Sequence, residues 1–498
     1  MASKGLWDCL FTLVFLFALP LSSQSQIFKL PPVLYQSGGR SARSLAVADV
    51  NKDGIPDVIV ANGSTVGSGG VGVLFGIGGG TFKSAQTYPV LFEGADAVAV
   101  ADLNGDGWPD LVVGSNGGVS DPTPSLSVLL NKGDGTFKAA IGYSAGFDIR
   151  SVAIADVNGD GKPDVIALDQ ADRHFIHSAV AVLLGNGDGT FDDAVTYELL
   201  GGTNALSLAT ADLNGDGKPD LVLTDADDKG NGIIEVLLNE GDGRFPTRVK
   251  YLSGVFGSSV TLGDVNGNGK PDAIVASAAG SVAILSGNGN GTFSKAVLYP
   301  TGLAGNLTSV AIGDLNGDGT PDLVISGPLE FRPQNGKVAV LINNGGGTFK
   351  APIIYGTGGL NAYSVAIANL NRDLKPDLVV ADECDGYITS CPAGGGVAVL
   401  LGVPARTTTT LMTSGSPSLH GQQVTFTATI IAAYGPIPNG IRVTFYNNGT
   451  RIGTAKTMNG AARFTTTALA VGTHTIRASF PSSPFFKASS ATVSQVVN

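Results

Sequence analysis

Short apolar runs, separated by acidic or glycine-rich stretches, punctuate most of this chain. SVAIA (151–155) and DVIAL (164–168) flank an acidic nine-residue stretch, and a third run opens VLLGNGDGTF (Val182 to Phe191). Such runs are β-branched, apolar and too short for helices, so they read as strands. The acidic stretch recurs seven times. It reads DVNKDGIPD from Asp49, DLNGDGWPD from Asp102, DVNGDGKPD from Asp156, DLNGDGKPD from Asp212, DVNGNGKPD from Asp264, DLNGDGTPD from Asp314 and NLNRDLKPD from Asn369. Successive starts lie 53, 54, 56, 52, 50 and 55 residues apart, a period that marks a repeat array.

A second signature falls between the cassettes: Val73 to Phe82, Val128 to Phe137, Val182 to Phe191, Val236 to Phe245, Ile284 to Phe293 and Val340 to Phe349. In each, an apolar run, a glycine-rich turn and a new strand opening on Phe make a hairpin. One repeat therefore predicts strand, acidic loop, strand, variable loop, strand, glycine turn, strand, which is a propeller blade. The seventh repeat stops at GVAVLLG (396–402) with no GDGTF strand behind it, whereas IFKLPPVLYQSG (27–38) aligns with TFKAAIGYSAG (136–146). The expected fold is all-β: a seven-bladed β-propeller whose N-terminal strand completes the last blade and removes two open sheet edges.

The chemistry of the cassette is that of a hard-cation loop. Calcium takes six to eight oxygen ligands, and carboxylates at alternate positions of a tight loop converge on one point. Positions 1, 3, 5 and 9 supply Asp49, Asn51, Asp53 and Asp57 in the first copy, and Asp102, Asn104, Asp106 and Asp110 in the second. The third offers Asp156, Asn158, Asp160 and Asp164, and the fourth Asp212, Asn214, Asp216 and Asp220. Then come Asp264, Asn266, Asn268 and Asp272; Asp314, Asn316, Asp318 and Asp322; and Asn369, Asn371, Asp373 and Asp377. Position 7 varies freely (Ile55, Trp108, Lys162, Lys218, Lys270, Thr320), as expected of a ligand that offers only its backbone carbonyl. Six Ca²⁺ sites are predicted. The fifth is weakened by Asn268; the seventh, with Asn369 and with Leu374 where Gly belongs, is as readily empty as filled. No acid stands at position 12 and no helix flanks the loop, which excludes an EF-hand. Asp-Gly turns also form without metal, but a plain turn does not require carboxylate or amide at four fixed places.

The pairing of GNGDGTF-like turns with DxNxDGxxD loops resembles the FG-GAP (VCBS-type) repeats of the integrin α-chain N-terminal propeller, over about residues 27 to 402. The resemblance implies a calcium-bearing propeller with its ligands on the cassette positions above. Position 3 is Asn throughout, where integrin loops often carry Asp, and nothing suggests the integrin's inserted ligand-binding domain. Integrin-type specificity is therefore not implied. Residues 406 to 498 change texture: QQVTFTATI, IRVTFYNNGT, AARFTTTAL and GTHTIRASF alternate as short antiparallel strands, a β-sandwich pattern. They resemble the bacterial Ig-like repeat, whose usual role is spacer or adhesive module.

The N-terminus, with Lys4 before an apolar stretch from Cys9 to Leu19, reads as a secretory signal peptide cleaved near Ser25. The expected domains are residues 1–25 (signal), 26–403 (propeller) and 404–498 (Ig-like), in a soluble, extracellular or surface, monomeric protein with no membrane span. Cys384 and Cys391 are predicted to form a disulfide in that setting, two free thiols being the alternative. The formal net charge is −11, and 19 of the 41 acidic residues lie in the cassettes, so six divalent ions nearly neutralise the chain. Lys and Arg are sparse and unclustered, which argues against nucleic acid.

No catalytic constellation is evident. His174 and His177 make a His-x-x-His pair without a third ligand, and read first as two exposed loop histidines. Variable loops on a rigid scaffold are where recognition lives, and Arg173, Phe175, Phe331, Arg332 and Tyr387 are the aromatic and arginine candidates there, set against ordinary solvated loops. The expected function is a calcium-stabilised, non-catalytic binding or adhesion module for an extracellular protein or glycan. A carbohydrate-active enzyme, lyase or hydrolase, on a propeller scaffold is the alternative.

Overall fold

The computed structural model describes residues 26–63, 69–92, 94–116, 125–170, 177–200, 202, 204–227, 229–327, 335–383, 395–433 and 436–498. Among them there is no helix. The signal peptide, Cys384, Cys391, His174 and all five loop candidates (Arg173, Phe175, Phe331, Arg332, Tyr387) lie outside the described residues.

The third repeat shows the common plan. Strands Ile149–Ala155, Asp164–Asp169, Ala179–Leu183 and Val195–Glu198 follow one another antiparallel in one sheet. In all seven repeats the last Asp of the cassette opens the second strand, as in Asp57–Asn62 and Asp377–Glu383. The second and third strands are buried on both faces, which accounts for their unbroken Val/Ile/Leu/Ala composition. The outer strand is mostly exposed. Five such sheets have four strands; a sixth has seven, because Ile353–Ala368 is one 16-residue strand serving two consecutive repeats. The N-terminal strand Val33–Gln36 pairs antiparallel with Gly396–Leu400.

One expectation needs correction. Phe137, Phe191, Phe293 and Phe349 do not open a strand: each makes a single bridge back across the glycine turn, and the outer strand starts a few residues later, at Ile141, Val195, Val297 and Ile353. The ring is turned inward instead, where it meets a tyrosine from the preceding repeat edge to face. The pairs are Tyr88–Phe137, Tyr143–Phe191, Tyr197–Phe245, Tyr251–Phe293 and Tyr299–Phe349. Two more involve the N-terminal segment: Tyr355 meets Phe28, and Tyr35 meets Phe82 of the first repeat. Centroids are 5.2 to 5.8 Å apart, and each pair contributes about 0.5–1.5 kcal/mol beyond its buried area.

Adjacent repeats also share their cores. Val112 and Val128 pack with Val165 and Ala181, and Val379 and Val399 of the last repeat pack with Val58 and Val60 of the first. The first strand of each repeat touches that of the next, and Ala42–Ala48 touches Ile353–Ala368. This propeller-like array is followed by two packed sheets. Thr407–Thr413, Val424–Ala432 and Ala461–Thr466 form one; Thr450–Lys456, Arg442–Asn447, Gly472–Phe480 and Ser489–Val497 form the other. Phe426, Phe445 and Phe480 are fully buried between them.

Candidate functional site

In every cassette the side-chain oxygens fold back on the loop's own backbone. The position 3 Asn accepts from the amide of position 5 at 2.9 to 3.0 Å. Position 5 accepts from position 7 at 2.7 to 3.0 Å. In the first six copies position 1 accepts from the position 6 glycine at 2.6 to 2.8 Å. That glycine has a φ of 80° to 85°, a conformation a β-carbon disfavours. These successive Asx turns place positions 1, 3 and 5 around one concavity.

Position 9 plays a different part. Asp57, Asp110, Asp164, Asp220, Asp272, Asp322 and Asp377 are all fully buried. One carboxylate oxygen accepts the amide of position 2 at 2.9 to 3.1 Å. The other accepts the amide just past the third strand at 2.7 to 2.9 Å. The residue therefore rivets the loop to the hairpin. Burial pushes the carboxyls of Asp57, Asp110 and Asp377 up to about 6, and that of Asp322 up to about 7, against the opposite pull of these amides. In the second, fourth and sixth repeats an Asn continues the stitching. Asn131, Asn239 and Asn343 donate to the carbonyls of Val50, Val157 and Val265, each in the cassette of the preceding repeat.

Among the described residues, no three His, Cys, Asp or Glu side chains gather as a metal-binding group. Asn at position 3 and the inward turn of position 9 onto amides thin the carboxylate cluster. The donor set still suits a hard cation: every donor is oxygen, and each carboxylate oxygen bonded to one amide keeps a second lone pair. Asp102 Oδ1 is buried with no partner among the described residues, as an oxygen meant for a cation is. Positions 1, 3, 5 and 9, with the position 7 carbonyl, are the residues that would hold it; a bound cation would supply charge neutralisation and cross-linking of the loop.

The seventh copy departs visibly. Leu374 keeps a φ of 67° where the other copies have glycine, and Arg372 a φ of 60°. Lys375 places its ammonium against Asp373, as Lys162 and Lys218 do against Asp160 and Asp216 in the third and fourth copies. The sixth copy departs in another way. Asn316 is fully buried with its amide nitrogen unpartnered among the described residues, a β-carbon at Gly317 would strike the Phe485 ring, and Asp318 lines a cavity with Ile431 and Pro438. Phe485, Ile431 and Pro438 belong to the C-terminal sandwich, which therefore sits on this cassette.

At the opposite ends of the first strands the structure gathers residues that the sequence reading passed over. Ser44, Ser151, Ser207, Ser259, Ser309 and Ser364 all line one cavity. A signal for them exists: each stands five residues before its cassette, in SLAVAD, SVAIAD and SVTLGD alike. His474, by contrast, is structural, bonded by Asn447 Oδ1 and the Ala470 carbonyl.

Repeated four-stranded sheets, each with an acidic loop between its first two strands, define a propeller-like repeat protein. The FG-GAP-like repeat profile matches residues 49–113, 102–167, 175–223, 213–275 and 264–325, more than half the chain, and the protein belongs to that family. Residues 410–498 match the bacterial Ig-like domain, group 3. No curated protein matches the chain. Among solved structures, the BP39L lectin from Burkholderia pseudomallei is similar over 80% of this chain and 97% of its own, at 16% identity and a TM-score of 0.50. BBS1N in complex with ARL6DN is similar over 76% of this chain and 98% of its own, at 10% identity and a TM-score of 0.48. At these identities the likeness concerns fold alone. No described helix is long and apolar enough to cross a membrane.

Proposed function

We propose that this protein is an exported, calcium-stabilised, seven-bladed propeller that acts as a non-catalytic binding module for a glycan or protein, with its Ig-like domain as spacer. The observation that carries the reading is the division of labour between the two faces. The cassettes lie on one face, where Lys487 N donates to Ala405 O and Phe485 covers Gly317, so the Ig-like domain takes part of that face. The first strands start, and the second strands end, on the other face, and a rigid scaffold carrying variable connections is the usual plan of a recognition module. Seven Tyr–Phe pairs, two of them through the N-terminal segment, support a closed ring of seven blades. The lectin neighbour is in keeping with a glycan ligand. Export rests on the N-terminal hydropathy pattern, and calcium on the all-oxygen donor set of the cassettes.

Applying the purified mature chain to a glycan array and to cell-surface extracts, in calcium and in chelator, tests this reading. Saturable binding in calcium that weakens on chelation is expected. Binding to neither surface, or release of cleaved or unsaturated sugar products, would overturn it.

A further inference from the structure

The sixth cassette differs from its neighbours in what covers it. Phe485 of the Ig-like domain packs on Gly317 so closely that a β-carbon there would meet the ring. At the same position of the second to fifth copies, Gly105, Gly159, Gly215 and Gly267 face open space. Asn316 is fully buried, whereas the other six Asn residues at position 3 are half-buried, and Asp318 is half-buried where position 5 of the first five copies is exposed. Leu315, at position 2 of the loop, belongs to one apolar cluster with Ala405, Phe480 and Phe486, so the cover is continuous with the Ig-like core. We infer that the sixth cassette is a domain lock: a divalent cation held there and the docking of the Ig-like domain favour one another, and the ion leaves only when the domain lifts. The inference rests on the calcium-stabilised form of the proposed function.

Docking takes water from a loop that has no cation of its own. Asp314, Asp318 and Asp322 bring three carboxylates. Position 7, which is Lys in the third, fourth, fifth and seventh copies, is Thr320 here. The domain brings no counter-charge to Asp318 either. The cavity of about 420 Å³ beside that residue is lined mainly by apolar side chains such as Ile431, Pro436, Ile437 and Pro438, and no basic residue is among its described lining. Burying carboxylates without a counter-ion is costly, and a divalent ion cuts the loop's formal charge from −3 to −1.

Asn316 supplies an independent sign that the loop is unfinished. Its Oδ1 accepts the Asp318 amide at 2.9 Å, while its Nδ2 is buried without a partner among the described residues. In the first two copies the equivalent nitrogen donates to the position 5 carboxylate, at 3.2 and 3.0 Å. In the sixth it does not draw on Asp318, which leaves that carboxylate to an ion. Linkage is reciprocal: docking tightens the ion by the factor by which the ion tightens docking.

The test uses the full mature chain and calcium alone. Release is followed by stopped-flow mixing of calcium-loaded protein with a fluorescent chelator, and docking by small-angle scattering. Wild type should release one ion at least tenfold more slowly than the rest. F485A, which touches no donor, should bring that ion to the rate of the others with stoichiometry unchanged, and D318A should remove it. D160A, in the open third cassette, should remove a fast ion and keep the slow one. In saturating calcium the radius of gyration should rise in D318A and not in D160A. Uniform release from wild type, a slow ion that survives F485A, or equal scattering changes in D318A and D160A would overturn the lock and leave the calcium-stabilised module standing. A chain that binds no calcium overturns both. F485A lies outside every cassette and keeps the test decisive should D318A fail to fold.

Discussion

At the scale of single residues, two aspartates four positions apart in one cassette do opposite work. Asp164 is fully buried and holds two backbone amides, whereas Asp160 is exposed and holds one within its own loop. Leaving two buried amides without an acceptor costs about 1–3 kcal/mol each, so D164A should lower unfolding free energy by several kcal/mol even in chelator, and by more in calcium, where a cation ligand is lost as well. D160A should cost stability only in calcium, where binding to the native state otherwise contributes RT ln(1 + [L]/Kd). Urea denaturation under both conditions checks the pair; equal losses for D160A in both would remove the cation from the account. A second residue sets a pH response. Burial pushes the Asp148 carboxyl up to about 6, with Arg150 pulling it down and Asp96 pushing it further up. A carboxyl whose folded pKa lies above its unfolded value near 3.9 contributes stability that is complete below that value and lost as pH rises through about 6. In saturating calcium, the midpoint advantage of wild type over D148N should therefore shrink between pH 4 and pH 7, as measured by calorimetry.

At the scale of elements, the strands were legible because their apolar runs are buried on both faces, and their ends because each cassette closes on an aspartate that pairs in the sheet. The N-terminal strand was legible too: Phe28 and Tyr35 stand where Phe137 and Tyr143 stand in the second repeat, and make the same kinds of contact. What sequence could not show is that the turn phenylalanine serves the neighbouring repeat rather than starting a strand, because the partner tyrosine lies about fifty residues earlier. Nor did the serine five residues before six of the cassettes announce itself, since a single hydroxyl among apolar residues reads as a tolerated substitution until the fold brings six of them to one cavity. The aromatic contacts carry a prediction. Phe28 is fully buried and Phe191 nearly so, and truncating a buried phenylalanine costs about 3–5 kcal/mol. F28A should destabilise as much as F191A, although it lies at the start of the described chain, because it occupies an equivalent place in the ring. Y197F should cost only about 1 kcal/mol, since it loses no more than the hydroxyl bond to the Gly243 carbonyl. Denaturation midpoints that leave F28A near wild type would mean the ring does not depend on its N-terminal seam.

At the scale of the whole molecule, the question is whether the two domains report on each other. Nothing in the sequence singles out the sixth cassette, whose DLNGDGTPD is as complete as its neighbours, yet it lies beneath the Ig-like domain. The connection is short and bonded on both sides: Val403 N donates to Ile27 O, and Ala405 N to Phe485 O. The same segment that returns the backbone to Ala405 also sets the Phe485 ring over Gly317. Gly317 has a φ of 77°, so G317A meets both an unfavourable backbone conformation and the ring itself. The substitution should loosen the domain contact without touching any oxygen donor. Its expected signature is a larger radius of gyration by small-angle scattering and faster proteolysis between residues 403 and 406, with calcium stoichiometry retained. F485A removes the ring and leaves the glycine free, so it should loosen the contact by a separate route, and G317A added to it should cause little further change. Additive effects of the two substitutions would instead mean that the ring and the loop do not act through one another, and that the Ig-like domain is held by its linker alone.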